Sequence, residues 1–249
     1  MNITQYVKNN INISDSGLSY NTNKIIISKN NITTINDDSI NNKLSNIHSK
    51  LKLKYGSFNE ELPEQKMVIR YLTGKEKVLE IGSNIGRNSL IIASIINNKN
   101  FVTLESDTGI FNQLNENKTL NNFKFHTENS ALSNRKLIQK GWDTMVANKL
   151  LNGYKWVNII SLKDLYIKYQ IKFDALVLDC EGAFYYILMD MPEILTDINL
   201  IIMENDYHNI SHKIYIDNIL KNNNFYVDYT QGGGWGPCSN NFFEVWKKL

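Results

Sequence analysis

Acidic side chains and a histidine gather directly after two apolar runs in the second half of the chain. Asp179 and Glu181 follow the run 175–178, and a second group follows the run 200–203. The carboxyl ends of parallel strands meet at one edge of a sheet, so these side chains are expected to lie close together. A carboxylate or histidine there could take a proton from a bound hydroxyl, whereas carboxylate and amide oxygens could bind magnesium. The residues concerned are Asp179, Glu181, Glu204, Asn205, Asp206 and His208.

A simpler, structural interpretation applies to the first pair. Asp179 or Glu181 could cap the helix that is predicted to begin near Gly182. We favour a functional role, because four carboxylates and a histidine at one sheet edge are more than the fold requires.

A glycine turn between an apolar run and a helix-like run is the strongest single pattern in the sequence. It lies in the segment KVLEIGSNIGRNSL, residues 77–90. Glycine allows a sharp bend and lets a ligand approach without a Cβ in the way. A strand, a turn and a helix N-terminus together are typical of nucleotide-like binding sites in doubly wound α/β folds. The predicted binding residues are Glu80, Gly82, Ser83, Asn84 and Gly86.

Glu105 ends the next apolar run, FVTLE. A carboxylate at that strand end is well placed to accept hydrogen bonds from two ribose hydroxyls, although a solvated charge is the structural alternative. Ser130 and Ala131 follow the third predicted strand and could flank an adenine ring.

Strands and helices alternate along the chain from residue 61 onward, which predicts a mainly parallel sheet with helices on both faces. The last two strands are joined by the glycine-rich loop 231–239, QGGGWGPCS, and are expected to form an antiparallel hairpin. The predicted fold class is therefore α/β, with a Rossmann-like, seven-stranded, mainly parallel sheet closed by an antiparallel C-terminal hairpin. The predicted strands are 77–81, 100–104, 124–126, 175–178, 200–203, 225–229 and 242–246, and the predicted helices are 61–72, 88–96, 109–121, 162–169, 182–189 and 212–221.

The organisation predicted from these patterns is one large domain with an extension. Residues 61–249 form the α/β domain, and residues 1–60 form a polar N-terminal extension. Within the extension, short strands are expected at 24–28 and 32–35. The extension could cover the site as a lid or support a homo-oligomer.

The net charge, the cysteines and the apolar runs of the chain indicate which partners and which compartment to expect. The net charge is +2 over 249 residues, and the basic residues are scattered, so a nucleic-acid partner is not indicated. Two cysteines with no metal-binding spacing suggest a reducing compartment. No apolar run reaches the length of a membrane span, and the N-terminus lacks a signal-peptide core, so we expect a cytoplasmic protein.

Five motifs, in order, resemble those of the FkbM-type methyltransferases. They are LEIGSNIGRNSL at 79–90, SALSN at 130–134, IISLKDL at 159–165, LVLDCEGAFYYIL at 176–188 and IIMEN at 201–205. The resemblance covers roughly residues 75–249. The segment 63–65 and the closing NFFEVWKK are similar to a subset from giant viruses, which would make this a viral protein of the host cytoplasm. Two positions depart from the family pattern: Cys180 replaces a small apolar residue, and Phe184 replaces an acid.

The resemblance implies a class I methyltransferase that uses S-adenosyl-L-methionine to methylate a hydroxyl of a sugar, a glycan or another small molecule. The expected base is Asp179, Glu181 or His208, and Asp179 is also expected to contact the donor. A magnesium ion on Asp179, Glu204 and Asn205, as in catechol-type O-methyltransferases, is an alternative.

Other functions remain as alternatives. One is an inactive methyltransferase-fold protein that serves in assembly or binding. A nicotinamide-dependent oxidoreductase is disfavoured by the G-x-x-x-G spacing, which differs from the G-x-G-x-x-G of dinucleotide binders. A nucleic-acid methyltransferase is disfavoured because the segment 204–207 lacks the prolines of the N/D-P-P-Y/F loop.

Overall fold

The computed structural model describes residues 38–249. The helices are α1 Asp38–His48, α2 Leu62–Tyr71, α3 Arg87–Ile95, α4 Thr108–Leu120, α5 Leu162–Tyr169, α6 Ala183–Asp190 and α7 Ile210–Asn222. The strands are β1 Val78–Ile81, β2 Phe101–Leu104, β3 His126–Glu128, β4 Ala131–Leu132, β5 Leu137–Lys140, β6 Asp143–Val146, β7 Lys155–Val157, β8 Ile159–Ile160, β9 Ala175–Leu178, β10 Leu200–Glu204, β11 Phe225–Gln231 and β12 Phe243–Lys248. Three short 3₁₀ segments follow α3, α6 and β11.

The main sheet has seven strands in the order β11-β12-β10-β9-β1-β2-β3. The five strands from β10 to β3 are parallel, and β12 runs antiparallel to both of its neighbours. The chain thus starts in the middle of the sheet, winds out to one edge and returns to build the other. This strand order confirms the predicted fold class, a Rossmann-like methyltransferase sheet closed by an antiparallel hairpin.

Each face of the sheet carries its own layer of helices. On β1, Leu79 and Ile81 pack with apolar residues of α5, α6 and α7, while Val78 packs on the other face with residues of α1 to α4. Successive strand residues point to opposite faces, and both faces are covered, so the central strands are apolar throughout. Packing on both faces holds the central strands in place, so their carboxyl ends lie together at one edge of the sheet.

The boundaries predicted from sequence agree with the observed elements to within about two residues. The terminal hairpin is confirmed, although it is longer than predicted because β11 and β12 pair from Phe225 to Gln231 through a bulge near Tyr229. The third predicted strand, 124–126, lies two residues too early: Phe125 is buried, but pairing with β2 begins at His126.

The segment between β3 and α5 was not predicted and forms two small sheets. Strands β5, β6 and β7 make an antiparallel meander, and β4 pairs with β8 in parallel. These strands have two to four residues each, and all of β6 is exposed. They lack the apolar runs that mark the strands of the main sheet.

Part of the predicted N-terminal extension is helical. Helix α1 places Ile40 and Leu44 in the core next to α2, and Nε2 of His48 donates to Oε1 of Gln65 on α2 at 2.6 Å. The strands expected at 24–28 and 32–35 lie outside the described residues. Within residues 38–249 no helix has the length and apolar composition to cross a bilayer.

Candidate functional site

A cavity of about 410 Å³ opens where β1, β2 and β9 end. Its volume lies in the range of roughly 300–1,000 Å³ that is typical of small-molecule sites. The wall is completed by β4, by the meander β5–β6 and by α6. Seven of the predicted site residues line it: Gly82, Asn84, Glu105, Ser130, Ala131, Asp179 and Glu181.

Gly82 lets the ends of β1 and β9 approach each other closely. Its φ is 85°, and a Cβ at this position would lie 1.6 Å from the backbone oxygen of Asp179. No other residue fits between these two strand ends. The glycine predicted to admit a ligand therefore also sets the position of Asp179.

Asn84 forms the bend of the turn and connects its two sides. Its φ of 50° is left-handed, a conformation that asparagine tolerates better than most residues. Its backbone N–H donates to Oε2 of Glu105 at 2.9 Å, and its side-chain amide donates to Oε1 of Glu61 at 3.3 Å. The turn is thus tied to β2 on one side and to the start of α2 on the other.

Glu105 is held in one orientation by backbone donors. Oε1 accepts from the N–H of Asp107 at 2.8 Å, and Oε2 accepts from Asn84. Burial raises the pKa of Glu105 to about 7, although the two backbone N–H groups act in the opposite direction. Each oxygen has a further lone pair, so the carboxylate can accept two hydroxyl hydrogens from the cavity.

Three other residues of the predicted glycine-turn set do not reach the cavity. Glu80 is buried and accepts hydrogen bonds from Ser89 and Thr103, so it links β1, β2 and α3. Ser83 donates through its backbone and its hydroxyl to the carbonyl of Leu104. Gly86 begins α3 with a φ of 90°. These three residues support the conformation of the turn, and they are not among the residues that line the cavity of the described chain.

The meander supplies cavity residues that sequence reasoning missed. Gln139 of β5 lines the cavity, is buried and accepts from the hydroxyl of Ser106 at 3.3 Å. Lys155 of β7, outside the lining, pairs with Asp107 at 2.5 Å and attaches the meander to the segment after β2. Trp142, on the turn between β5 and β6, lines the cavity while 58% exposed. The Gly141-Trp142 turn between two short strand-like runs is the signal that could have revealed this hairpin.

Asp179 lies at the end of β9 among other acids. Burial raises its pKa well above the ordinary value, and the nearby carboxylates of Glu61, Asp206 and Glu64 add to the effect. A carboxylate with a raised pKa is a stronger base when ionised. Asp179 therefore has the environment expected of a residue that takes a proton.

Asp206 supports the same edge from the end of β10. Its Oδ1 accepts from the backbone N–H of Gly182, the residue before α6, at 2.9 Å, so it connects the end of β10 to the start of α6. Its Oδ2 is buried and finds no hydrogen-bond partner among residues 38–249. Burial raises the pKa of Asp206 to about 7, with Glu181 adding to the effect. The capping role considered for Asp179 or Glu181 is not observed, because no side chain makes a capping hydrogen bond at the start of α6.

His208, Glu204 and Asn205 are not among the cavity-lining residues of the described chain. His208 is exposed and packs against Trp235, with ring centroids 4.4 Å apart, although it is near enough to Glu181 to interact with that carboxylate. Asn205 is fully buried, and its side-chain amide donates to the carbonyl of Asn241 at 2.6 Å. Across residues 38–249, no group of three or more histidine, cysteine or acidic side chains is arranged to hold a metal ion. The magnesium alternative stays a prediction.

The cavity suits an adenosine-containing ligand by its own chemistry. Glu105 offers two fixed carboxylate oxygens at one strand end, and Gly82 presents bare backbone beside them. Ser130 and Ala131 contribute two small side chains to the cavity wall. Asp179 also lines the cavity.

No protein-family model matches the chain, and no curated protein sequence matches it. Solved structures do resemble it. One is the ribosomal protein L11 methylase of Lactobacillus delbrueckii subsp. bulgaricus, with 14% identity over 79% of this chain and 82% of that one, at a TM-score of 0.48. Another is an O-methyltransferase of Bacillus cereus in complex with SAH, with 13% identity over 87% and 94%, at 0.46. A third is an rRNA methylase of Streptococcus thermophilus, with 9% identity over 75% and 95%, at 0.46.

At these sequence identities and TM-scores, the solved structures do not indicate an activity for this chain. They also do not show that it belongs to the FkbM family. The fold follows from the strand order itself: residues 38–249 have the Rossmann-like fold of the S-adenosylmethionine-dependent methyltransferases.

Proposed function

We propose that this protein transfers a methyl group from S-adenosyl-L-methionine to a hydroxyl of a sugar, a glycan or another small molecule. The observation that carries the proposal is the cavity itself. Within it, the glycine turn, a carboxylate held by two backbone donors and a strand-end acid face one space. The motif resemblance to FkbM-type methyltransferases supports the same reaction class.

The donor would lie between the glycine turn and the ends of β2 and β3. Glu105 accepts the two ribose hydroxyls, and Ser130 and Ala131 flank the adenine. When bound, the donor supplies an electrophilic methyl group on a positively charged sulfur. The protein's task is to hold the two reactants aligned, which can lower a barrier by several kcal/mol.

Asp179 is the base that takes the proton of the acceptor hydroxyl. Burial and the neighbouring acids raise its pKa, and a positive charge placed beside it favours its ionised form. Glu181 lines the cavity and can orient the acceptor, whereas His208 acts at most through Glu181 because it lies outside the lining.

The charges around the site favour a small acceptor over RNA. Arg135 is the basic side chain that lines the cavity of the described chain, and Asp190 already pairs with it. The acids at the ends of β9 and β10 would repel a phosphate backbone. Nucleic-acid enzymes depend on several lysine and arginine side chains to bind that backbone, whereas the cavity lining of the described chain has Arg135 alone.

Methyl transfer can be tested with methyl-labelled S-adenosylmethionine and a panel of sugars, glycans and small phenols, with RNA as the comparison. We expect label on a hydroxyl oxygen of at least one small acceptor and none on RNA. Label on a base nitrogen of RNA would contradict the proposed substrate class.

A further inference from the structure

The cavity extends beyond the strand ends along one face of α6. The residues of α6 that line it are spaced i, i+3, i+4 and i+7, so they lie on a single face of the helix. A helix rises about 1.5 Å per residue, so this face is about 10 Å long. It begins four residues after Asp179, which lines the same cavity. The residues of this face are Ala183, Tyr186, Ile187 and Asp190.

The hairpin β5–β6 supplies a second wall. Two cross-strand pairs line the cavity together, so one face of the hairpin is turned toward it. The polar pair, Gln139 with Thr144, lies near the end of β2, because Gln139 accepts from Ser106. The apolar pair, Leu137 with Val146, lies further from β2. We call the space between this apolar part of the hairpin and the α6 face the α6 arm of the cavity.

Large apolar side chains of the α6 arm are exposed. Trp142, on the turn of the hairpin, is 58% exposed, Val146 is 48% exposed and Tyr186 of α6 is 45% exposed, and all three line the cavity. Aromatic and aliphatic side chains gathered around one cavity are typical of a ligand-binding groove. The α6 arm therefore suits an apolar ligand.

The two charged side chains of the α6 arm neutralise each other. Nε of Arg135 donates to Oδ2 of Asp190 at 2.5 Å, and a second guanidinium nitrogen donates to Oδ1. This bidentate contact joins the segment before β5 to the end of α6. Because the ion pair has no net charge, the α6 arm favours an uncharged ligand over a phosphate or a carboxylate.

We propose that the α6 arm binds the methyl acceptor, and that this acceptor is a phenol whose hydroxyl lies at Asp179 and whose apolar substituent contacts Trp142 and Tyr186. The inference rests on the proposed methyl transfer and narrows its substrate class. The phenolic oxygen forms a bond to the methyl carbon, the carbon–sulfur bond breaks with its electron pair on sulfur, and the proton goes to Asp179. A phenol has a pKa of about 10, so it gives up this proton more readily than a sugar hydroxyl does.

The test is calorimetric titration of the S-adenosylhomocysteine-loaded protein with 4-phenylphenol and, in parallel, with methyl glucoside. We expect saturable binding of 4-phenylphenol and binding of methyl glucoside that is weaker by about tenfold or more. Trp142→Ala and Tyr186→Ala should each weaken 4-phenylphenol binding about fivefold or more, because each removes an aromatic contact. Both should change S-adenosylhomocysteine binding less than about twofold.

The matched controls are Trp156→Ala on β7 and Met189→Ala on α6. These residues are 47% and 45% exposed, and they do not belong to the cavity lining of the described chain. Neither variant should change 4-phenylphenol binding. Retained S-adenosylhomocysteine binding shows that each of the four variants is folded.

Tighter binding of methyl glucoside than of 4-phenylphenol would overturn the inference, and so would unchanged 4-phenylphenol binding in Trp142→Ala and Tyr186→Ala. Equal weakening of 4-phenylphenol and S-adenosylhomocysteine in these variants would assign the α6 arm to the donor and also overturn it. The proposed function fails separately, if the unmodified protein binds no S-adenosylhomocysteine. Titration of that protein with 4-phenylphenol still shows whether the α6 arm binds an aromatic ligand.

Discussion

At the residue scale, Glu105 is the side chain on which donor binding depends most. Its oxygens are fixed by the N–H groups of Asp107 and Asn84. Glu105→Gln keeps the shape but removes the charge and one acceptor oxygen, so affinity for S-adenosylhomocysteine should fall about tenfold or more, as for other hydrogen bonds to charged groups. Calorimetry measures this directly. Glu116→Gln, on the exposed side of α4, is the charge-matched control, and similar losses in both variants would refute the ribose role.

Because the pKa of Glu105 is raised to about 7, the affinity for an adenosyl ligand should increase with pH. Burial raises this pKa, and the ionised carboxylate accepts hydrogen bonds from ribose hydroxyls more strongly than the protonated form does. Ionising the group below pH 7 costs free energy, so affinity for 5′-methylthioadenosine should rise about tenfold from pH 6 to pH 7.5 and then level off. In Glu105→Gln the rise should disappear. A rise that persists in the variant would assign it to another group.

Asp179 should affect turnover far more than binding. Asp179→Asn keeps the side chain's size but cannot take a proton, so turnover should fall about 10²–10⁴-fold while donor affinity changes little. The comparison variant is His208→Asn, which should lose much less because His208 lies outside the cavity lining. Turnover of labelled donor and calorimetry on both variants separate the two effects. Equal loss of turnover and donor binding in Asp179→Asn would indicate a structural role.

At the element scale, the glycine turn sets the distance between β1 and β9. Gly82→Ala would place a Cβ 1.6 Å from the Asp179 oxygen, so we expect a loss of unfolding free energy above about 4 kcal/mol or failure to fold. Gly141→Ala is the control: its φ is also left-handed, at 58°, but no atom lies within 4 Å of the added Cβ. It should cost about 1–2 kcal/mol. Urea denaturation compares them, and equal costs would contradict the close approach.

The elements that could be predicted from sequence are those whose residues are buried. Val78–Ile81 is buried on both faces and reads as an apolar run, and Gly82 and Gly86 mark the turn. The meander could not be predicted this way, because Asp143–Val146 is exposed at every residue and shows no apolar alternation. Its position over the cavity depends on distant contacts, such as Lys155 with Asp107.

The same limit applies to the site residues. Glu105 and Asp179 could be placed because each directly follows a predicted strand, and Asn84 could be placed because it lies in the glycine turn after the first strand. The sequence could not distinguish Glu80 from these cavity-lining residues, because it does not reveal that Ser89 and Thr103 donate hydrogen bonds to the Glu80 carboxylate. His208 was predicted from its neighbourhood in sequence, but the chain turns it outward onto Trp235.

At the scale of the whole molecule, buried acids make the stability of the free protein depend on pH. Burial raises the pKa of Glu64, Glu80, Glu105 and Asp206 to about 7. An acid whose pKa is higher in the folded than in the unfolded chain stabilises the fold at low pH, and this stabilisation is lost as pH rises through the folded value. Unfolding free energy should therefore fall from pH 5.5 to pH 7.5, by about 1 kcal/mol or more.

Urea denaturation at three pH values in this window checks the slope. Acids with lowered pKa, such as Asp107 and Glu76, titrate below the window and do not oppose it. Glu80→Gln removes one titrating group and should reduce the slope. A free energy that stays constant or rises toward pH 7.5 would contradict the predicted protonation of these acids.

The central claim, that the cavity binds an S-adenosyl donor, is tested most directly by calorimetric titration of the purified protein with S-adenosylhomocysteine and, in parallel, with NAD. The account predicts saturable, one-to-one binding of S-adenosylhomocysteine in the micromolar range and no binding of NAD. Binding of NAD alone would contradict the methyltransferase assignment, and binding of neither ligand would leave a methyltransferase fold without donor binding.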